Sequence, residues 1–188
     1  AERYRVIGKL ASVAAAKAPY LVHFQTYVLR SILSDVIEAA NARLIMMSRG
    51  RYRLIHGEGG EKRKWWGLEI DVFDEYTGLP RVSRTLSGGE TFLASLALAL
   101  GLSDVVQHYA GGMHLDMIFI DEGFGSLDSE TLDIAIRALL EVQQEGGRLV
   151  GIISHVEELR ARIPVHLEVL RTANGSKARF TQGGLEAL

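Results

Sequence analysis

Between Met117 and Ser154 the chain reads as an apolar run, a helix and a second apolar run: MIFID, an amphipathic stretch from Ser129 to Glu145, then LVGIIS. Two apolar strands joined by a helical crossover lie side by side in parallel, because a return to the same edge needs a dozen or more residues. Near-continuous hydrophobicity predicts strands buried on both faces, with Ile152 and Ile153 inside and Ser154 and His155 emerging at the end. Helical patterns flank the unit, over Ser87 to His108 before it and Glu157 to Arg162 after it. The expectation is an α/β fold, a mainly parallel sheet with flanking helices.

The rest of the chain adds elements to that unit. From Val22 to Met47, apolar residues recur at helical spacing (Phe24, Val28, Ile32, Val36, Ala40, Leu44), which predicts one long amphipathic helix just after Pro19. The Ala-rich stretch Ala1 to Ala18 lacks three clean heptads and reads as a helix remnant, not a coiled coil on pattern alone. YRLI and GLEIDVFDE read as half-buried antiparallel strands, the second alternating Leu68, Ile70 and Val72 with Glu69 and Asp71, followed by a turn at Thr77 to Pro80. In HLEVLRTANGSKARF, two strand-like runs around Asn174-Gly175 predict a C-terminal hairpin. No repeat, low-complexity tract or boundary divides residues 1 to 188, so one domain is expected.

Composition narrows the setting. The chain has no cysteine, and its 21 basic and 23 acidic residues leave a net charge of -2. Disulfides are excluded, and no global basicity signals nucleic acid. The apolar stretches read as too short for a bilayer and no leader pattern opens the chain, so a cytoplasmic protein without a membrane is expected. The first residue is Ala1, which suggests a piece of something larger.

RTLSGGETFLASLALAL, Arg84 to Leu100, places two glycines at the mouth of an apolar helix. Ser87 followed three residues later by Glu90 forms a capping box, which fixes the helix start. That cap alone is one reading. Glycines in the first turn cost about 1 kcal/mol each relative to alanine, however, and they permit a close backbone approach. The second reading is a phosphate site, with Ser87 and Gly89 as direct contacts at the positive end of a helix dipole.

MIFIDEGFGSLD runs from an apolar strand straight into Asp121 and Glu122. In parallel α/β sheets the carboxyl ends of strands face the ligand crevice. A solvated strand end followed by a helix cap accounts for Asp128 and Ser129 but not for the adjacent carboxylates. Those suit a division of labour in which Asp121 holds Mg2+ through water and Glu122 polarises an attacking water. Gly123 and Gly125 permit an irregular turn, and Phe124 reads as packing. His155 stands at the end of the next strand, so Ser87, Asp121 and His155 are evenly spaced, each interval holding one helix and one strand. The remaining histidines show no such company, and no zinc spacing is present.

LSGGE, MIFIDEGFGSLD and IISH, in that order, resemble the signature, Walker B, D-loop and H-loop of ABC-type ATPases. Transport ATPases usually follow the Asp-Glu pair with Pro-Thr, whereas DEGFGSLD resembles the SbcC group of DNA-repair ATPases, which are related to SMC proteins. YVLRSILSDVIEAANARLIMMSRGRYRL is similar to the helix at the base of the SbcC coiled coil, so the resemblance extends from Tyr27 to about Phe180. No G-x-x-x-x-G-K-[ST] loop is present; GEGGEKRK, Gly57 to Lys64, has neither the spacing nor the final hydroxyl. The resemblance therefore implies the C-terminal half of a split ATPase head, with residues 1 to 50 forming the coiled-coil base and residues 51 to 188 carrying the motifs.

It further implies ATP and Mg2+ as cofactors and an N-terminal Walker A half as partner. Asp121, Glu122 and His155 would serve that half's ATP, His155 at the γ-phosphate. Ser87, Gly88, Gly89 and Glu90 would close over ATP on a second copy of the head, and Asp128 would lie at the dimer seam. An SbcD-like nuclease and double-stranded DNA complete the implied partners. Three basic clusters could meet DNA phosphates: Arg81 with Arg84, Lys62 to Lys64 beside Trp65 and Trp66, and Arg51 with Arg53. Each could equally be a solvated loop or hairpin. The alternatives are an SMC-type chromosome-organising head, a transporter ATPase, disfavoured by the missing phosphate loop, and a non-catalytic interaction module, disfavoured by Glu122.

Overall fold

The computed structural model describes residues 2–15, 24–57, 68–111, 114–173 and 175–182. In chain order the elements are α1 (Glu2–Ala14), α2 (Phe24–Met47), β1 (Tyr52–His56), β2 (Ile70–Asp74), β3 (Leu79–Val82) and α3 (Gly88–Tyr109). Then follow β4 (Met117–Asp121), α4 (Ser129–Gly146), β5 (Leu149–Ile153), α5 (Glu157–Arg162), β6 (Val165–Thr172) and β7 (Gly175–Gln182). Strands β1, β2 and β3 form an antiparallel sheet in that order, β4 pairs with β5 in parallel, and β6 with β7 makes the hairpin. Pro19, Lys62 to Lys64, Trp65, Trp66 and Asn174 lie outside the described residues.

The helical crossover gives the parallel pair its register, from Met117 opposite Leu149 to Asp121 opposite Ile153. Burial on both faces is not observed. Ile118, Ile120, Val150 and Ile152 pack against the core, whereas Phe119 is 67% exposed and Ile153 54% exposed on the other face. Ile153 therefore does not bury beside Ile152, because successive strand side chains point to opposite faces. The turn between β2 and β3 also falls earlier than the sequence suggests. Asp74 O accepts from Gly78 N at 2.8 Å, and Pro80 sits within β3, opposite Phe73. Proline is tolerated there because β3 is an edge strand.

The core forms where α2, α3 and α4 meet β1 and β2. Only the second half of α2 is buried, through Val36, Ile37, Ala40, Leu44 and Met47; Phe24, Tyr27 and Leu29 in its first half are exposed. Helix α3 presses closely on α2. A Cβ on Gly101 would lie 2.7 Å from Ala40 N and 2.8 Å from Val36 O, so a hydrogen is all that fits. Asn41, also on α2, donates from Nδ2 to Leu54 O at 2.9 Å and accepts from Leu54 N at 2.7 Å. An amide side chain thus takes the place of a neighbouring strand along β1. By length and composition the 22-residue α3 could cross a bilayer, contrary to the reading that no apolar stretch is long enough. Here Leu93, Leu96, Ala97 and Leu100 are buried in the protein core instead.

Gly101→Ala should lower stability by about 1–2 kcal/mol despite alanine's better helix propensity, because the added methyl meets α2 backbone. Gly8→Ala on α1, where nothing lies within 4 Å of the added carbon, should cost nothing. Urea unfolding midpoints of the two variants check both outcomes.

Candidate functional site

The tip of α3 is built as a capping box. Ser87 is the N-cap: Glu90 N donates to Ser87 Oγ at 3.3 Å, and Ser87 N donates to Glu90 Oε2 at 2.8 Å. A hydroxyl that accepts from the helix keeps its own hydrogen for an outside acceptor. Of the two glycines, Gly89 has a reason within the chain. A Cβ there would lie 3.0 Å from Ser126 O, tighter than an ordinary contact, so packing against the turn after β4 disfavours a side chain. A Cβ on Gly88 would meet only Ser126 Cβ at 3.5 Å, an ordinary contact. The fold thus accounts for Gly89 and leaves Gly88 unexplained by packing.

Behind the tip lies a cluster of charge that the sequence did not disclose. Asp74, at the end of β2, is 1% exposed and takes Arg51 Nη2 at 3.2 Å and Arg51 Nε at 3.4 Å. Arg81 reaches both Asp74 Oδ2 at 3.6 Å and Glu90 Oε2 at 3.8 Å. The phenolic hydroxyl of Tyr52 donates to Glu90 Oε1 at 2.5 Å. Burial, reinforced by Glu90, pushes the Tyr52 phenol up to about 12. Burial pushes Glu90 up too, but the hydrogen bonds from Tyr52 and Ser87 and the Arg81 charge outweigh it and hold Glu90 below its ordinary range. Asp74 is likewise held low, chiefly by the Arg51 hydrogen bond. The buried Asp74 and the half-buried Glu90 stay ionised because each has cationic or O–H partners.

At the end of β4 the two predicted carboxylates part company. Asp121 belongs to the exposed face with Met117 and Phe119 and makes no ion pair or side-chain hydrogen bond among the described residues. Glu122 adopts φ 59, a left-handed conformation that a non-glycine residue rarely takes, while its N–H donates to Ile153 O at 2.9 Å. That strained backbone turns the side chain to His155, whose Nδ1 lies 3.1 Å from Oε1 and 3.0 Å from Oε2. An ionised carboxylate only accepts, so Nδ1 carries the hydrogen and Nε2 is left to face outward. Strain of this kind collects at working sites.

The turn that follows needs Gly123, whose φ is 98 and whose Cβ would stand 2.3 Å from the Phe92 ring. Gly125 is different. It has no positive φ, and a Cβ would meet Val156 Cγ2 at 3.6 Å, so the irregular turn rests on one glycine. Phe124 is 1% exposed and stacks edge-on to Phe92 with centroids 4.8 Å apart, in keeping with a packing role. Asp128 caps α4, with Oδ1 accepting from Thr131 N at 2.9 Å and Oδ2 from Thr131 Oγ1 at 2.8 Å. These bonds, the backbone one first, hold Asp128 below its ordinary range.

The structure therefore joins Glu122 with His155, and Ser87 with Glu90, and brings Gly88 and Gly89 against Ser126. Among the described residues no cluster of three or more His, Asp or Glu could hold a metal by itself. Of the basic clusters, Arg51 and Arg81 are committed to Asp74, and Arg53 pairs with Glu75 at 2.7 Å while lying over the Phe73 ring. These arginines hold the β1–β3 sheet together. Tyr52 and Asp74 were missed in the sequence; an aspartate on the inward phase of an alternating strand was the available signal.

This arrangement has the fold of a lobe of an SMC-type ATPase head. A solved SMC ATPase chain, from work on ATP-driven dimerization and DNA stimulated activation, aligns with a TM-score of 0.62 at 18% identity, over 84% of this chain and 89% of that one. The Smc head domain of Pyrococcus furiosus with an extended coiled coil aligns at 0.60 and 18% identity, over 96% of this chain and 41% of that one. The family model described as SbcC/RAD50-like, Walker B motif, matches residues 61–141. The SbcC component of nuclease SbcCD from Vibrio cholerae is 52% identical over 178 residues, which are 94% of this chain and 18% of that protein. The Staphylococcus epidermidis protein of the same name is 51% identical, over 91% of this chain and 17% of its own length. These similarities support an SbcC-like chain, and it spans less than a fifth of the curated relatives it matches.

Because Asp74 and Glu90 sit below their unfolded values of about 4, the unfolded chain takes up protons first as pH falls. Their stabilisation is complete above about pH 5 and is lost progressively as pH falls through and below the carboxylate range. Unfolding midpoints measured from pH 7 downward should decline on that schedule, and Asp74→Asn should flatten the decline.

Proposed function

We propose that the chain is the C-terminal part of the ATPase subunit of an SbcC/SbcD-like nuclease complex. In this reading it supplies the Walker B, D-loop and H-loop of one ATP site and the signature of another. The N-terminal half of the same protein brings the Walker A loop, and a second copy of the head completes each site. ATP binding pairs the heads; hydrolysis separates them and so gates an SbcD-like nuclease on double-stranded DNA ends in break repair and recombination. The setting is the cytoplasm, at the nucleoid. An SMC-type chromosome-organising head shares the fold, but relatives at 52% and 51% identity carry the nuclease-subunit name.

The observation that carries this reading is the Glu122–His155 pair at the end of β4, held by a left-handed Glu122 backbone. Glu122 accepts the proton of a water directed at the γ-phosphate. His155, bound through Nδ1, offers its outward Nε2 to a γ-phosphate oxygen. Asp121, with no other polar partner among the described residues, suits Mg2+ held through water, where the metal would neutralise phosphate charge. The Ser87 hydroxyl, with Gly88 open beside it, donates to the γ-phosphate of the opposing head. Support for a covering half comes from the exposed face of β4 and β5: Met117, Phe119, Leu149 and Ile153 are apolar and lie on the side from which Asp121 projects.

In the full-length protein, Glu122→Gln should leave ATP-dependent head pairing intact and lower the hydrolysis rate by about 10²–10⁴-fold. Steady-state phosphate release with size-exclusion chromatography checks both, and normal turnover would remove Glu122 as the base. Ser87→Arg should abolish pairing while unpaired heads still bind ATP, because the cation occupies the space in which helix tip and γ-phosphate meet. Chromatography with ATP reads this, and a pairing-competent Ser87→Arg would refute the geometry.

A further inference from the structure

We infer that Tyr52 is a positioning residue for the signature helix, its hydroxyl locking Glu90 and thereby setting the Ser87 backbone and hydroxyl at the tip of α3. The inference rests on the proposed role of Ser87. A capping box requires only its serine and its glutamate. In this chain the glutamate has a third partner: Tyr52 O–H reaches Oε1 at 2.5 Å while Oε2 accepts from Ser87 N at 2.8 Å. Both carboxylate oxygens are thus fixed, and the carboxylate cannot rotate. Without the phenol, Oε1 would be free to turn toward Arg81, whose Nη2 now stands 3.8 Å from Oε2. The Ser87 N–H would lose its acceptor in that turn.

Tyr52 is well suited to the task. It opens β1, is 6% exposed, and carries the Arg51 guanidinium over its ring at 4.7 Å. Arg51 is anchored on Asp74, and Arg81 spans Asp74 and Glu90. A displacement of the β1–β3 sheet is therefore transmitted through two polar links, Tyr52 and Arg81, to the first turn of α3. Elsewhere the sheet is tied to α2 through Asn41, so the signature tip and the base helix share one rigid support. The phenol does not touch nucleotide in this scheme; it acts through Glu90.

The test uses the full-length ATPase subunit with its nuclease partner and compares Tyr52→Phe, Glu90→Gln, the double variant and Ser87→Arg. Tyr52→Phe keeps the ring and its cation contact but removes the hydroxyl. The ATP concentration for half-maximal head pairing should rise about fivefold to tenfold, while nucleotide binding by dilute, unpaired heads stays at the wild-type value. The double variant should pair no worse than the weaker single variant, because both changes break one chain of contacts. Wild-type pairing by Tyr52→Phe, fully additive penalties, or an equal loss of nucleotide binding by unpaired heads would each overturn the positioning role. Should Tyr52→Phe fail to fold, Glu90→Gln tests the same link from its other end, and wild-type pairing by it overturns the inference. If Ser87→Arg blocks pairing while Tyr52→Phe does not, only Tyr52 loses its role. If Ser87→Arg pairs normally, the reading of the signature helix itself fails.

Discussion

Helix α3 is fixed at two points, and the geometry of the site follows from both. In its body, the absent side chain of Gly101 lets the backbone of α2 come within van der Waals contact, which sets where the helix lies. At its tip, Glu90 sets how the helix begins, taking the Ser87 N–H on one oxygen and the Tyr52 hydroxyl on the other. The first is a steric constraint and the second an electrostatic one. A carboxylate withdrawn from water is tolerable only with such partners, so the tip, the β1–β3 sheet and the Arg51–Asp74–Arg81 cluster form together or not at all.

Most of the framework could be read directly, because it is written in local periodicity. The period of 3.6 in α2, the apolar runs of β4 and β5 and the Asn-Gly of the hairpin each depend on near neighbours. That Glu122 and His155 stand together was legible in their places at the ends of two adjacent parallel strands. What escaped was long-range. Asp74 looked like one more polar residue beside a turn; only in three dimensions do Arg51 and Arg81 converge on it. Likewise Arg51, Arg53 and Arg81 looked like a basic surface because their acidic partners lie on other elements, up to 23 positions away. The one-sided burial of β4 and β5 escaped for a related reason, as apolarity does not say which side chains will find cover.

That one-sidedness bears on how the lobe works. Exposed Met117, Phe119, Leu149 and Ile153 lie on one face of the parallel pair, and exposed Val165, Leu167, Val169 and Phe180 lie on the hairpin. Apolar surface of this extent is costly in water and marks an interaction surface. Since Asp121 emerges on the same face of β4, whatever covers those side chains also approaches the carboxylate proposed to hold the metal. In the proposed scheme, assembly of the hydrophobic face and assembly of the catalytic centre are then a single event, and an unpaired lobe is kept from hydrolysing nucleotide by geometry alone.

The two glycines of LSGGE illustrate how one motif can carry two demands. Gly89 answers to this chain, because its Cβ would press on Ser126 O at 3.0 Å; Gly88 does not, because a methyl would fit there. A helix tip shaped only by folding would need one glycine. At the second a methyl would meet only Ser126 Cβ at 3.5 Å, an ordinary contact, next to a serine whose hydroxyl hydrogen has no partner within the cap. Gly123 shows the same economy in the opposite sense: its left-handed φ and its contact with Phe92 are both folding requirements, and they place Glu122 against His155. In the first case packing accounts for one glycine and not for the other. In the second it builds the strained turn that sets Glu122 beside His155, so that pairing is a by-product of how Phe92 and Phe124 fill the core.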